Sequence, residues 1–264
     1  DFINEANVVL LSPVSVSSAF SGQRDYFFRV VPDDELLGRA LAVHIYQNRS
    51  LSRLTAIYDL SNQAFTESLW DVIQREFTRL GGDIDETFTF MHGDVDLKTL
   101  MTEVQRTDPS AIVMIAAPID TALLAQYGRQ QGVEAPLFAS SWAQSQNLVE
   151  EGGQAVDALE LVAGFHPENP YPAFQPFVER FKARYGRSPT FSAAFAYEAV
   201  LVLAHALEQT GGRAAGLGDA LVAIEALEGV QGLISINAYW DVERDVYIIR
   251  VDQGNFDVIH TISP

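Results

Sequence analysis

The sequence predicts an α/β fold in which parallel β-sheets are covered by helices on both faces. Short apolar runs typical of buried strands alternate along the chain with segments whose apolar residues recur at helical spacing. Runs that are apolar at successive positions favour parallel sheets, because both faces of such strands are buried. With 48% hydrophobic residues among 264, the chain has enough apolar surface for one large domain or two smaller ones.

The first clear elements are a strand and a helix joined by a bend within residues 27–38. Phe27–Val31 reads as a strand, and Pro32 holds the following backbone extended. Asp33 or Asp34 can cap a helix that starts near Glu35, since a short carboxylate accepts hydrogen bonds from free helical amides. We interpret this segment as a crossing between two domains.

A series of strand and helix pairs follows. Thr55–Asp59 reads as a buried strand, and the apolar spacing from Phe65 to Leu80 predicts a helix that Gly81 and Gly82 end. Asp120 is predicted to be the N-cap of a later helix that reaches Gln131. The remaining predictions here are strands at 86–90, 111–117, 136–140 and 159–165, and a helix at 97–104.

Helices dominate the last third of the chain. The proline-dense stretch 166–172 follows a strand, and we interpret it as a second crossing. The glycines of Gly216–Leu217–Gly218 are predicted to form a loop. The other predictions are helices at 173–185, 191–208 and 217–227, a strand at 232–237, and a hairpin of 246–251 with 256–262.

Composition argues against several classes of function. A net charge of −18 repels nucleic acid and anionic membranes, so no nucleic-acid partner is expected. The longest apolar run is about eight residues, short of the ~20 that a transmembrane helix needs. The chain has no cysteine, its five histidines lack metal-ligand spacing, and no catalytic or phosphate-binding motif is present. We therefore expect no metal, no cofactor and no enzymatic activity.

Several segments occur in the order known from one protein family. They include a strand that ends in Ser12–Pro13, followed by a serine-rich loop, and the strand Leu54–Asp59. In this order the chain resembles the type I periplasmic binding proteins, the branched-chain amino-acid receptors of ABC transporters and their relatives. The other matching segments are 93–96, 108–113, 130–133, 177–186 and 196–199.

The resemblance implies two lobes that close around a small ligand. It implies one lobe of residues 1–33 and 166–242, a second lobe of 34–165 and 243–264, and a first lobe that is incomplete. The expected function is that of an extracytoplasmic solute receptor, with an amino acid or related small carboxylate as ligand and a membrane permease as partner. A sensing ectodomain or regulatory envelope protein of the same fold is the alternative. An incomplete lobe would expose its sheet, so the chain is expected to form a homodimer or to need the missing segment.

Candidate ligand-binding residues follow the predicted strands, because ligands of open α/β sheets bind beyond the carboxyl ends of the strands. Each candidate has a structural alternative. Ser15 and Ser17, which match the family loop that binds a carboxylate, can instead form a serine-rich turn. Asp120 can be a simple N-cap, and aromatic side chains in such positions can be helix-packing residues. The full set of candidates is Ser15, Ser17, Phe65, Pro118, Asp120, Trp142 and Phe191.

Trp142 marks a departure from the family pattern. The branched-chain amino-acid receptors place an acidic residue near this position, where it pairs with the ammonium group of the ligand. A large aromatic residue in a polar loop fits a pocket wall instead. The resemblance therefore does not by itself imply an α-amino acid.

Overall fold

The computed structural model describes residues 2–263, and the chain divides into two compact units. Unit 1 comprises Asp1–Asp33, Gly164–Asp245 and Ser263–Pro264, and unit 2 comprises Asp34–Ala163 and Val246–Ile262. The division between the units thus falls at 163/164 and 245/246. The resemblance instead implies lobe boundaries at 165/166 and 242/243.

Unit 2 is built on a seven-stranded sheet with strand order β12-β11-β7-β6-β5-β3-β4. The five strands from β7 to β4 are parallel, and β11 runs antiparallel to both β7 and β12. Its strands are β3 (Arg53–Asp59), β4 (Asp83–Phe90), β5 (Ile112–Ile115), β6 (Leu137–Ala139), β7 (Glu160–Ala163), β11 (Val246–Asp252) and β12 (Asn255–Ile262). Its helices are α2 (Asp34–Val43), α3 (Gln63–Arg79), α4 (Leu97–Arg106), α5 (Pro118–Gln130) and α6 (Gln146–Gly152).

Two apolar cores cover the two faces of this sheet, as the α/β prediction requires. Helices α2 and α3 supply Leu37, Leu41 and Ile73 to one core, and helices α4, α5 and α6 supply residues to the other. Gly38 permits the close approach of α2 to α3, because a Cβ atom there would lie only 2.7 Å from Val72 Cγ1. The predicted α/β fold with a mainly parallel sheet is therefore confirmed.

Unit 1 contains less sheet and more helix. Its strands are β1 (Leu10–Ser12) and β2 (Phe27–Arg29), which pair in parallel, and β8 (Leu227–Glu228), β9 (Leu233–Ile236) and β10 (Val242–Glu243), which are antiparallel. Its helices are α1 (Phe2–Ala6), α7 (Phe174–Tyr185), α8 (Phe191–Gln209) and α9 (Leu217–Val222). In its core, the rings of Phe28 and Trp240 stack with centroids 5.0 Å apart.

Helix α8 is long and apolar enough to cross a membrane if only its length and composition are considered. In the structure it packs Phe195, Ala199 and Val202 into the core of unit 1. It also carries the fully buried Glu198, which is ion-paired with Arg244. Core helices of globular proteins pass the same test, so this helix gives only weak support for a membrane span.

The sequence predictions were wrong in detail in the last third of the chain. Helix α9 ends at Val222 rather than at residue 227, and Leu227 begins strand β8 instead. Leu217 begins α9, as the predicted helix at 217–227 requires, and Gly218 lies inside the helix rather than in a loop, while Gly216 is the N-cap with a φ of 80°. Glycine adopts this left-handed conformation without a steric cost, so the helix can start directly after a turn.

Candidate functional site

Four of the predicted ligand residues follow the carboxyl ends of the parallel strands of unit 2. Phe65 lies in the first turn of α3 after β3, and Pro118 and Asp120 lie in the first turn of α5 after β5. Trp142 lies in a 3₁₀ turn, Ser141–Ala143, after β6. The carboxyl edge of the sheet therefore gathers these residues in unit 2, at the place where open α/β sheets bind ligands.

Phe65 and Trp142 are in direct contact. Their rings meet edge to face, with centroids 5.8 Å apart and planes at 87°, and both side chains are half-buried. This geometry places the positive edge of one ring against the negative face of the other. The pair forms an aromatic surface that a small apolar group could contact.

Asp120 does not cap helix α5, and the structure gives it a different role. The helix starts with Pro118, whose fixed φ suits the first helical position, and Ala117 is the N-cap. Asp120 is therefore the third helical residue, only 4% exposed, with its Oδ2 atom 2.7 Å from Nδ1 of His92. The N-cap prediction was wrong because the helix starts with Pro118, so that its N-cap lies three residues upstream of Asp120.

His92 is held at this edge by its backbone, while its ring remains largely exposed. Its amide donates to Ser61 Oγ at 2.9 Å and to Asp59 Oδ1 at 3.2 Å. Asp59 Oδ1 also accepts from the amide of Ser61, so one buried carboxylate organises both loops. The hydrogen bond that the His92 ring donates to Asp120, together with the negative charge of this carboxylate, raises the pKa of His92 above the usual 6.5.

We predict that Asp120→Asn lowers the pKa of His92 toward 6.5, because the carboxylate that stabilises the imidazolium is lost. A raised pKa in the folded state means that His92 stabilises the protein below about pH 6.5, and that this contribution is lost as the pH rises through the folded-state pKa. NMR titration of the His92 ring measures the shift. The exposed His260 on β12 is the control, and an unchanged His92 pKa in the variant would contradict the assignment.

In unit 1, the predicted residues Ser15 and Ser17 take part in local turns. Ser12 Oγ donates to Ser15 Oγ at 2.8 Å, and the amide of Ser15 donates back to Ser12 Oγ. Ser17 Oγ accepts from the amide of Ala19, at the start of a 3₁₀ turn. These hydrogen bonds are those expected of a serine-rich turn, the structural alternative to a ligand-binding loop. Ligand binding by Ser15 and Ser17 stays a prediction.

The loop that contains Ser17 is anchored by Arg29, a residue that sequence reasoning missed. Arg29 is 1% exposed, and its Nη1 atom donates to the carbonyl oxygen of Ser17 at 3.0 Å. Its other contacts are with Ser21 and with the carboxylates of Asp33 and Asp241. The position of Ser17 thus depends on a buried guanidinium.

Phe191, the last candidate, is the first residue of α8 and packs against the core of unit 1. This contact fits the alternative in which Phe191 is a helix-packing residue.

The His92–Asp120 pair was another feature that sequence reasoning missed, because 28 positions separate the two residues and no local motif connects them. Within residues 2–263, no three histidine or acidic side chains lie close enough together to hold a metal ion.

A family model described as periplasmic binding protein matches residues 1–255 of the chain. A search of curated proteins found no match.

Solved structures of transporter proteins share this fold. A leucine binding protein from Thermotoga maritima superposes with a TM-score of 0.89 at 27% identity, covering 100% of this chain and 75% of that one. An ABC transporter substrate-binding protein from Desulfitobacterium hafniense in complex with Leu gives a TM-score of 0.78 at 25% identity, over 97% and 75% of the two chains. A solute binding protein from R. palustris in complex with benzoate gives 0.87 at 16% identity, over 100% and 73%, and at that identity shows the fold alone.

Proposed function

This chain belongs to the periplasmic binding protein family, and from that premise we propose that it is the extracytoplasmic solute-binding receptor of an ABC transporter. Its partners are a small organic ligand and a membrane permease. The two-lobed type I periplasmic binding fold is shown by the family match and the similar structures. That the ligand is held between two lobes stays a prediction from the resemblance.

The observation that carries this proposal is the set of side chains along the carboxyl edge of the sheet in unit 2. Phe65 and Trp142 form an aromatic surface, and His92 with Asp120 forms a polar pair on the same edge. A small-molecule site typically combines an apolar wall with a small number of polar groups.

The same residues suggest that the ligand is a small carboxylate. Asp120 is already hydrogen-bonded to His92, so a ligand ammonium would have to compete with the imidazole for this carboxylate. The raised pKa of His92 increases the fraction of imidazolium, whose second N–H, at Nε2, can donate to a carboxylate. We propose an amino acid or a related small carboxylate, with the carboxylate as the recognised group.

Isothermal titration and thermal-shift measurements with amino acids and with carboxylates that lack the amino group test this proposal. We expect at least one compound to bind with a Kd in the micromolar range or tighter and to raise the Tm by mass action. If the folded protein binds none of them, the proposed receptor function is wrong.

We predict that Trp142→Ala weakens binding of that ligand by about ten-fold or more, because a buried aromatic contact contributes more than ~1 kcal/mol to binding. Titration calorimetry measures the loss. Tyr239→Ala is the matched control, since Tyr239 is an exposed aromatic residue of unit 1. Equal affinity of wild type and Trp142→Ala would show that Trp142 does not contact the ligand.

A further inference from the structure

Asp59 is a buried residue at the end of β3 that is hydrogen-bonded to three neighbouring segments. It is 1% exposed, and its Oδ1 atom accepts from the amides of Ser61 at 2.8 Å and of His92 at 3.2 Å. Its carbonyl oxygen accepts from Thr66 Oγ1 at 2.7 Å, in the helical turn that carries Phe65. Asp59 therefore connects the end of β3 both with the loop of His92 and with the turn of Phe65.

The ring of His92 is accessible, in contrast to the carboxylates that hold it. Its side chain is 64% exposed, whereas the side chain of Asp120 is 6% exposed. Nδ1 of His92 lies 2.7 Å from Asp120 Oδ2, so Nε2 is the ring nitrogen that is left for a ligand. Because most of the ring is exposed, a small molecule can reach Nε2 without a change in the fold.

Asp120 determines which nitrogen of His92 carries the proton when the ring is neutral. A carboxylate only accepts hydrogen bonds, so Nδ1 keeps its proton beside Asp120 Oδ2. In the neutral ring Nε2 is then an acceptor, which cannot bind the oxygen atoms of a ligand carboxylate. In the imidazolium both nitrogens donate, and Nε2–H can bind that carboxylate. Protonation therefore changes Nε2 from an acceptor into a donor.

Two carboxylates influence His92 from neighbouring elements, Asp120 from α5 and Asp59 from the end of β3. The hydrogen bond to Asp120 is the main cause of the raised pKa of His92, and the charge of Asp120 adds to it. The charge of Asp59 raises this pKa further, as a smaller contribution. The donor form of Nε2 is therefore populated to a higher pH than in an unperturbed histidine.

The aromatic surface of the proposed site lies beside His92 along the same sheet edge. In the strand order β4-β3-β5-β6, the residues that follow the strand ends are His92, Phe65, Asp120 and Trp142. Each contacting pair therefore reaches past one intervening strand, and the two pairs interleave. Four adjacent strands span about 15 Å, so a ligand carboxylate at Nε2 has an apolar surface close by.

We propose that Asp59 is a positioning residue of the proposed solute site, which holds His92 so that Nε2 binds the ligand carboxylate only when the ring is protonated. The inference rests on the proposed receptor function, because it assigns roles within that same site. Asp59 acts through the backbone amide of His92 and does not contact the ligand. The affinity is then independent of pH below the pKa of His92 and falls by up to about ten-fold per pH unit above it, since each bound carboxylate requires one proton.

The test is a titration of the full chain with acetate, L-leucine and 3-phenylpropanoate, which share a carboxyl group. NMR of nitrogen-labelled histidine rings follows His92, with the exposed His260 as internal control, and calorimetry gives the Kd. We expect at least one acid to shift the Nε2 signal and to bind at least about ten-fold more weakly at about pH 9 than at about pH 6. An affinity that does not change with pH, or a bound acid that leaves Nε2 unshifted, would overturn the proposal.

Substitutions of Asp59 separate its effect on His92 from a purely structural role. Asp59→Asn keeps an oxygen that accepts from both amides but removes the charge, so acid binding at about pH 6 should persist while the pKa of His92 falls. Asp59→Ala removes the acceptor as well and should weaken binding at about pH 6 by about ten-fold or more, because the ring is no longer held in place.

Asp157→Ala is the matched control for Asp59→Ala. Asp157 lies in the same unit and also accepts a backbone amide, that of Gln253, so the control removes an equal charge and a similar hydrogen bond. It should leave the pH profile of binding unchanged. If Asp59→Ala only lowers the Tm and binds with the wild-type pH profile, Asp59 has a structural role alone and the proposal is wrong.

Two further measurements keep the outcome decisive if Asp59→Ala does not fold. His92→Gln retains a side-chain donor that cannot be protonated, so the pH dependence of binding should disappear. The His92 pKa of Asp59→Asn, measured without ligand, shows whether Asp59 acts on the ring. If an acid raises the Tm with a pH-independent affinity, the receptor function stands and only the roles of His92 and Asp59 are wrong. If no acid and no amino acid binds, the receptor function itself is wrong.

Discussion

Replacing Glu198 by alanine should lower the free energy of unfolding of unit 1 by about 3–5 kcal/mol, because Arg244 would be left buried without its partner. Glu198 is fully buried in α8, and its Oε1 atom accepts from the amides of Val230 and Gln231 at 2.8 and 2.9 Å. Arg244 donates to both of its oxygens and also to the carbonyl of Val30. The pair of Glu198 and Arg244 thus connects α8 with two loops and with the segment after β2.

Urea unfolding followed by the NMR signals of Trp240, which packs against the core of unit 1, measures this loss separately from the two tryptophans of unit 2. The double variant Glu198→Leu with Arg244→Met should lose less than Glu198→Ala alone, because no buried charge remains unpaired. Arg39→Ala, which removes one partner of an exposed ion pair, is the control and should change stability by ~1 kcal/mol or less. A loss below about 1 kcal/mol in Glu198→Ala would contradict the structural assignment.

Arg29→Met should be the second strongly destabilising change, at about 3 kcal/mol or more. Arg29 Nη2 lies 2.7 Å from Asp241 Oδ1 and 3.4 Å from Asp33 Oδ2, and it donates to Ser21 Oγ as well. Methionine retains most of the buried volume but leaves these carboxylates without the guanidinium. Arg29→Lys should restore little, because a single ammonium cannot reproduce a planar group that donates in several directions.

The same substitution should also release the loop that contains Ser17. Amide hydrogen exchange of residues 15–21 should become faster, since the bond from Arg29 to the Ser17 carbonyl is lost. Asp85→Asn is the control, because it alters only a partly exposed ion pair with Arg53 in unit 2. If exchange in residues 15–21 stays unchanged in Arg29→Met, Arg29 does not hold this loop.

Regular elements with strong periodicity could be predicted from the sequence, and irregular or long-range features could not. Helix α3 was placed near its observed bounds because apolar residues recur along 17 residues and two glycines follow. Helix α9 was predicted too long, since nothing local distinguishes a continuing helix from the short strand β8, which pairs with β9. Whether such a segment becomes helix or strand depends on its pairing with another strand, and the local sequence does not contain that information.

The same distinction applies to the candidate site. Phe65 and Trp142 were proposed because they follow strand ends, and the structure brings their rings together. The partners His92 and Asp120 lie 28 positions apart in the sequence. They meet only because β4 ends, and α5 begins, at the same edge of one sheet. Arg29 likewise reads as an ordinary strand residue until the fold places Asp241 beside it.

The position of β11 between β12 and β7 has a consequence for synthesis on the ribosome. Strand β7 is complete once residue 163 has been made, but its pairing partner β11 begins only at Val246. During the synthesis of these intervening residues the edge of β7 carries unpaired amides and carbonyls, and exposed edges of this kind pair readily with other chains. The growing chain therefore needs protection at this edge until the hairpin of β11 and β12 emerges.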